Sequence, residues 1–261
     1  MLSVITSSSN PKIKQLIALD KSRERRKQNL FTIEGLKELL LASESGYVIE
    51  SVYYSTQLIS EQQLIELGFG KSHLLPVGQQ VFEKIAYRES TGGVIGIAKQ
   101  RGNSLNDLQL GKNPLILILE GVEKPGNLGA VLRTADAAGV DAVISCDPQT
   151  DFFNPNVIRS SVGCVFTNQI AAAPSTDTIA WLKKNKIKIF CTYLGGSIPY
   201  TSASYKEPCA IVMGSESSGL TESWVKNSDA NIIIPMKGKI DSMNVSVSAA
   251  IVVFEAVRQR G

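Results

Sequence analysis

Apolar positions divide the chain into two stretches of different texture. From residue 114 onward they gather into short unbroken runs at 114–120 (PLILILE), 141–145, 188–192, 209–213 and 231–234. Runs of strand length without alternation predict strands buried on both faces. Between them, helices are predicted at 127–138 (closed by Gly139), from Asn154-Pro155 to near Gly163, at 176–185 and at 244–260. Residues 165–170 are predicted as a further strand. Strands alternating with helices imply a parallel sheet covered on both faces. Ligands of such sheets sit beyond the carboxyl ends of the strands. The loops after Glu120, Thr192, Met213 and Ile234 are therefore the places for chemistry.

Before residue 114 the pattern is more mixed. Asn10-Pro11 is a capping residue followed by proline at the first helical position, and it opens a helix over 10–28 with Ile13, Leu16, Ile17 and Leu19 on its apolar side. A second helix is predicted over 34–45, closed by Gly46, and a short one over 61–67. Strands are predicted at 48–54 and 94–98. These make a small α/β domain over 1–98. Residues 99–113 (KQRGNSLNDLQLGKN) are polar and read as a linker, and 114–261 form the second domain.

Composition narrows the function. With 43% hydrophobic and 20% charged residues the 261-residue chain is an ordinary globular protein, not a fibrous or disordered one. His73 is the sole histidine, which excludes HExxH zinc sites and other multi-histidine centres. Cys146, Cys164, Cys191 and Cys209 lie at least 18 residues apart in or beside apolar stretches, so no CxxC occurs and small buried thiols in a reducing cytoplasm are expected. No metal is expected. No secretory pattern opens the chain, and no apolar run approaches the ~18 residues of a membrane span.

Charge is unevenly spread. The net charge of +3 conceals seven basic and two acidic residues among the first thirty, a local +5. Lys12, Lys14, Arg23, Arg25, Arg26 and Lys27 make this a polyanion-facing segment or, alternatively, a solvated basic helix without a partner.

Three loops carry candidate chemistry. In 120–139 (EGVEKPGNLGAVLRTADAAG), Arg133 is a lone cation on an apolar helix that needs a carboxylate, a phosphate or an ion pair with Asp136 or Glu120. In 213–220 (MGSESSGL), Gly214 and Gly219 have phosphate-loop separation, but Leu220 stands where that motif requires lysine. Glu216 there is either a ligand acceptor or an exposed turn acid. In 232–251, Ser242 and Asn244 stand where the last helix is capped.

Taken together, NLGAVLR, GSESSG and IPMKGKIDSMNVSVSAAI resemble motifs one, two and three of the SpoU (TrmH-like) branch of the SPOUT RNA methyltransferases. NPKIKQL, FTIEGLKELLLAS and STGGVIGIA resemble the N-terminal substrate-binding domain of its ribosomal-RNA members, which is similar to the L30e ribosomal-protein fold. The resemblance implies a C-terminal α/β trefoil-knot domain with a parallel sheet, a homodimer with its active site near the interface, and S-adenosyl-L-methionine as methyl donor. It implies transfer to a ribose 2′-hydroxyl, in 23S (large-subunit) ribosomal RNA first and in transfer RNA as the alternative. A non-catalytic RNA-binding protein of the same fold and a resistance-type enzyme are the other readings.

Carried over position by position, the resemblance makes Asn127, Arg133, Glu216, Ser242 and Asn244 the catalytic set. It assigns Leu194, Gly195, Gly214, Ile234, Met236 and Met243 to the cofactor. Met243 stands where leucine is commoner, and STGG replaces the usual Pro-Gln-Gly. Arg159, in IRSSVG, is a further candidate for RNA or partner contact, or a structural salt bridge. A sulfonium methyl is already activated, so the reaction needs alignment and removal of one proton rather than a metal. A guanidinium is a poor base. Arg133 is therefore expected to orient ribose-phosphate and stabilise alkoxide charge, with Glu216 holding Arg133 or a neighbouring backbone.

Overall fold

The computed structural model describes residues 3–87 and 92–261. The chain runs α1 (Pro11–Ala18), α2 (Ser22–Gln28), β1 (Leu30–Glu34), α3 (Leu36–Glu44), β2 (Ile49–Ser55), α4 (Glu61–Glu66), β3 (Leu74–Val77), α5 (Gln79–Ile85) and β4 (Val94–Lys99). It continues through β5 (Leu115–Glu120), α6 (Pro125–Ala138), β6 (Ala142–Cys146), α7 (Pro155–Ser160), α8 (Cys164–Thr167), β7 (Ile170–Ala173), α9 (Ser175–Lys184) and β8 (Lys188–Thr192). Then come β9 (Ile198–Pro199), β10 (Cys209–Met213), α10 (Glu222–Asn227), β11 (Ala230–Ile233) and α11 (Val245–Arg260).

Two compact units result. The first comprises Met1–Arg101 together with Phe153–Thr167, and the second Gly102–Phe152 together with Asn168–Gly261.

The first unit is built on a four-stranded sheet of order β1-β4-β2-β3, parallel only between β2 and β3. The continuous helix expected over 10–28 is two helices. The break between Ala18 and Ser22 is held by Arg25, whose guanidinium donates to Leu19 O at 2.9 Å and Asp20 O at 2.8 Å. Asn29 ends the second helix in the left-handed region at φ 54°. Phe153 and Phe166 stack on Phe31 of β1, with ring centroids 4.6 and 5.9 Å away. Of residues 165–170, expected as a strand, 165–167 belong to α8 and Ile170 opens β7: Val165 and Phe166 are buried in the helix, where packing overrides their β propensity.

The second unit carries a seven-stranded sheet of order β7-β6-β5-β10-β8-β11-β9, every pairing parallel. All six residues of β5 are buried, as its unbroken apolar run predicts. Ile116, Ile118, Ile144, Ile189 and Val212 meet Ile179 and Leu182 of α9 and Trp224 of α10 on one face. Each such side chain contributes about 1.5–3 kcal/mol on full burial. Helices α6 and α11 pack on each other and on β6 and β10. The linker expected over 99–113 belongs largely to this unit: Leu105, Leu108 and Leu110 pack against its core. No helix among the described residues is long and apolar enough to cross a membrane.

One buried cluster fixes the strand ends. Glu120, the last residue of β5, is 5% exposed. Its Oε2 accepts the Thr221 N–H at 2.8 Å and its Oε1 the Thr221 hydroxyl at 2.8 Å. The Ser175 hydroxyl lies 3.1 Å from Glu120 Oε1 and 2.6 Å from Asp147 Oδ2, and accepts Trp224 Nε1–H at 3.0 Å. The starts of α9 and α10 are thereby tied to the end of β5.

Candidate active site

Strands β5, β10, β8 and β11 are neighbours in the sheet and run the same way. Their C-terminal loops therefore open on one edge, and these are the four loops singled out from the sequence. They enclose a cleft of about 820 Å³. Leu194, Gly195, Gly214, Ile234, Met236 and Met243 all line it, as do Glu216, Ser242 and Asn244.

The second loop is a tight reverse turn. Ser215 and Gly219 exchange backbone hydrogen bonds of 3.2 and 3.0 Å. A Cβ on Gly214 would lie 2.3 Å from the Gly219 carbonyl carbon and 2.5 Å from Leu220 N. Any side chain at 214 would force the ends of the turn apart. Gly219 completes the turn at φ +66°, in the region open mainly to glycine.

Glu216, carried at the tip of this turn, gathers the other loops. Its Oε1 accepts Asn127 Nδ2–H at 2.7 Å and Asn244 Nδ2–H at 3.1 Å. Its Oε2 accepts the Lys124 ammonium at 2.6 Å. Asn244 Nδ2 also reaches Asn127 Oδ1 at 3.1 Å, so the three side chains close a ring. The other end of the Asn244 amide caps α11: its Oδ1 accepts the Ser246 N–H at 2.9 Å. Capping and clasping are thus both served by Asn244. The hydrogen bond from Lys124, with help from Asn127 and the Val245 N–H, holds the Glu216 carboxyl below its ordinary value of 4.5. The same contact raises Lys124 above its ordinary value. A carboxylate so well supplied with donors is a tie between loops and a poor proton acceptor.

Arg133 stands apart from this clasp. It is exposed and makes no hydrogen bond or ion pair with the described residues of its chain. Six residues separate it from Asn127 along α6, which places it about 120° around the helix and ~9 Å along it. Glu216 therefore holds Lys124, Asn127 and Asn244 rather than Arg133. An ion pair with Glu120 is also absent, because that side chain is spent on Thr221 and Ser175. Sequence reasoning missed Lys124. Its one signal is a cation directly before Pro125 at the mouth of the first loop.

The basic segment separates into two kinds of residue. Lys12, Lys14, Arg23, Arg26 and Lys27 are exposed. Arg25 is 1% exposed and bound to backbone carbonyls, which removes it from the RNA-facing set. Arg159 is likewise buried: it pairs with Glu34 at 2.9 Å and lies 3.9 Å over the Tyr87 ring. The structural salt bridge is the reading that holds there. Ser90 and Thr91 of STGG lie outside the described residues. His73 is a surface residue whose Nδ1–H donates to Glu50 O at 2.8 Å.

Cys146, Cys191 and Cys209 are buried and Cys164 is half-buried, all as free thiols. Burial pushes Cys146 and Cys191 up to about 12. No group of three potential metal ligands occurs among the described residues.

Chemically the cleft combines apolar side chains (Leu194, Met213, Ile232, Met236, Met243), a glycine-lined turn and two acids, Glu216 and Asp241. Its lining contains one cation, Lys124. Such a site suits a partly apolar ligand that itself carries positive charge.

Comparison with known proteins agrees with this geometry. Residues 114–254 match the model of the SpoU rRNA Methylase family, and residues 10–96 match an MRM3-like substrate binding domain. The chain is 29% identical over 250 residues to the 23S rRNA (guanosine(2553)-2′-O)-methyltransferase RlmP of Bacillus subtilis, covering 96% of this chain and 97% of the relative. It is 34% identical to the 23S rRNA (guanosine-2′-O-)-methyltransferase RlmB of Salmonella typhimurium, covering 93% and 95%. Among solved structures, an AdoMet-bound rRNA methyltransferase from Sinorhizobium meliloti superposes with a TM-score of 0.90 at 32% identity, covering 98% of both chains. By its motifs, its parallel sheet and these matches, the chain belongs to the SpoU rRNA methylase family.

Proposed function

We propose that this protein transfers a methyl group from S-adenosyl-L-methionine to a ribose 2′-hydroxyl of 23S ribosomal RNA. The observation that carries the reading is the clasp of Lys124, Asn127, Glu216 and Asn244, which joins three motif loops around one cleft. When bound, the donor supplies an activated sulfonium methyl. Leu194, Gly195, Gly214, Ile234, Met236 and Met243 hold it in the cleft. Gly214 leaves the turn without a side chain, and the apolar residues exclude water from one side. Asn127, Glu216 and Asn244 fix the loops against one another, and Ser242 lines the same cleft beside Met243.

Arg133 orients the ribose-phosphate and stabilises the developing alkoxide. Its exposure fits a site completed by a second copy of the chain. A homodimer is further supported by Val247 and Phe254 of α11, both 48% exposed, with Ala250 and Ile251 half-buried between them. These positions form an apolar stripe at helical spacing. The C-terminal unit is a trefoil knot in this reading, and the four free thiols fit a cytoplasmic enzyme. Lys12, Lys14, Arg23, Arg26 and Lys27 neutralise RNA phosphates.

The test is a map of 2′-O-methylated nucleotides in RNA from cells with and without the gene. Loss of one 23S site on deletion, restored by the wild-type gene, is the expected result. An unchanged 23S map overturns the reading, and loss of a transfer-RNA site replaces the substrate.

A further inference from the structure

Beside the cleft lies a second, smaller cavity of about 220 Å³. Lys124, Ser215, Glu216, Ser217 and Val245 face both spaces. The smaller one adds Asn127 and Glu123, and Lys124 is the one cation in its lining. Methyl transfer needs the acceptor oxygen in line with the donor methyl at about 3–3.5 Å, so the acceptor has to enter a space that adjoins the donor cleft. With the donor in the large cleft, the acceptor approaches through the small one. Its size suits a pentose with one phosphate, and its hydroxyls and amide suit sugar oxygens.

The ammonium of Lys124 has three N–H donors. One is directed at Glu216 Oε2, and the side chain is 72% exposed, so the others face the open side. Arg133 lines neither cavity. A phosphate entering the small cavity therefore meets Lys124 as the one cation in its lining among the described residues, with the Glu123 carboxylate as an opposing charge.

We propose that the small cavity is the acceptor subsite, and that Lys124 is a substrate-positioning residue that binds the phosphate next to the reacting ribose. The inference rests on the methyltransferase reading above. It goes further by dividing the site into a donor cleft and an acceptor cavity, and by assigning opposite roles to adjacent residues. Lys124 attracts the RNA backbone and Glu123 repels it.

The experiment compares wild type with Lys124→Met, Lys124→Arg and Glu123→Gln. It uses a 23S rRNA fragment as substrate and measures steady-state methyl transfer, RNA affinity over a range of salt, and calorimetric binding of S-adenosyl-L-methionine. Lys124→Met is expected to raise KM for RNA about tenfold and to reduce the salt slope by about 0.7, the loss of one phosphate contact. Calorimetry separates the two contacts of Lys124: a change in donor affinity reports its place in the cleft lining and the Glu216 clasp, while the RNA KM and salt slope report the phosphate contact. Lys124→Arg should restore most of the RNA affinity, because it keeps a cation able to bind phosphate. Glu123→Gln should shift RNA affinity the other way, tightening it by a few-fold.

If Lys124→Met lowers kcat while KM and salt slope stay put, Lys124 only holds Glu216 and the inference is overturned. It is equally overturned if Glu123→Gln weakens RNA binding or leaves it unchanged. A wild-type enzyme that methylates no RNA ribose fails the underlying reading instead, and the two failures are thus distinguishable.

Discussion

Two glutamates in the C-terminal unit do the same topological job in opposite settings. Glu120 joins the end of β5 to the starts of α9 and α10, and Glu216 joins the second loop to the starts of α6 and α11. Both gather segments that are distant in sequence through several accepted hydrogen bonds. Glu120 does so at 5% exposure, among apolar side chains. Glu216 does so at the rim of a cleft, with a 30% exposed side chain and a 72% exposed lysine as one partner. The first arrangement makes a fixed floor, because buried donors left without acceptors are costly. The second makes an assembly that water can enter, in which loops adjust to a ligand at small cost. Stability and function are thus allotted to different carboxyl groups on neighbouring layers.

The largest effect that tests this contrast is expected at Glu120. Glu120→Ala leaves the Thr221 N–H and hydroxyl without their acceptor, and urea unfolding should show a loss of about 3–4 kcal/mol. Next comes Glu216→Gln, which should cost less than about 1 kcal/mol in the same assay. Its methyl transfer should nevertheless fall about 100-fold, as expected for loops misplaced by a fraction of an ångström to an ångström. Comparable stability losses for the two variants would break the contrast.

The arginines of α2 extend the same idea to cations. Arg25→Ala should destabilise by about 2 kcal/mol, since it frees the Leu19 and Asp20 carbonyls and empties a buried volume. Replacing exposed Arg23, Arg26 and Lys27 together should leave stability within about 0.5 kcal/mol per residue. That triple variant should instead reduce the salt slope of RNA binding by about 2. An unchanged slope identifies a solvated helix without a nucleic-acid role.

The smallest effect concerns pH. Glu216 is held below its ordinary value of 4.5, chiefly by Lys124. A depressed carboxyl contributes stability above its unfolded value and loses it as pH falls through the folded one. The clasp therefore stays intact from about pH 5 upward. Wild type and Glu216→Gln should differ by a constant factor across the neutral range, with the same profile shape. A titration step near neutrality that disappears in Glu216→Gln would return this residue to proton transfer.

The sheet of the second unit was legible because its strands are buried on both faces, so the runs at β5, β8 and β10 stand out without any alternation. Short elements were not: β9 has two residues, Ile198 and Pro199, and β3 includes Pro76. Such strands exist through their neighbours, and their own sequence carries almost no signal. The convergence of Asn127, Glu216 and Asn244 was legible through the order of three motifs. Lys124 was not, because a surface lysine before a proline is common and its role depends on a turn 92 residues away. Arg25 shows the converse: among five neighbouring basic side chains, only packing distinguishes the one that caps a helix end from those that face water.

The assignment of Phe153–Thr167 to the first unit bears on how such enzymes are taken apart and recombined. The polypeptide passes between the units three times, after Arg101, Phe152 and Thr167. A fragment cut at Arg101 loses the rings of Phe153 and Phe166 on Phe31 and the guanidinium of Arg159 on Glu34. The first unit is therefore not a detachable module that can be exchanged at a single junction. A chimera with a new substrate domain has to carry its own version of 153–167 within the catalytic half. Along a lineage, changes in β1 and in this excursion are expected to track one another even though more than a hundred residues separate them.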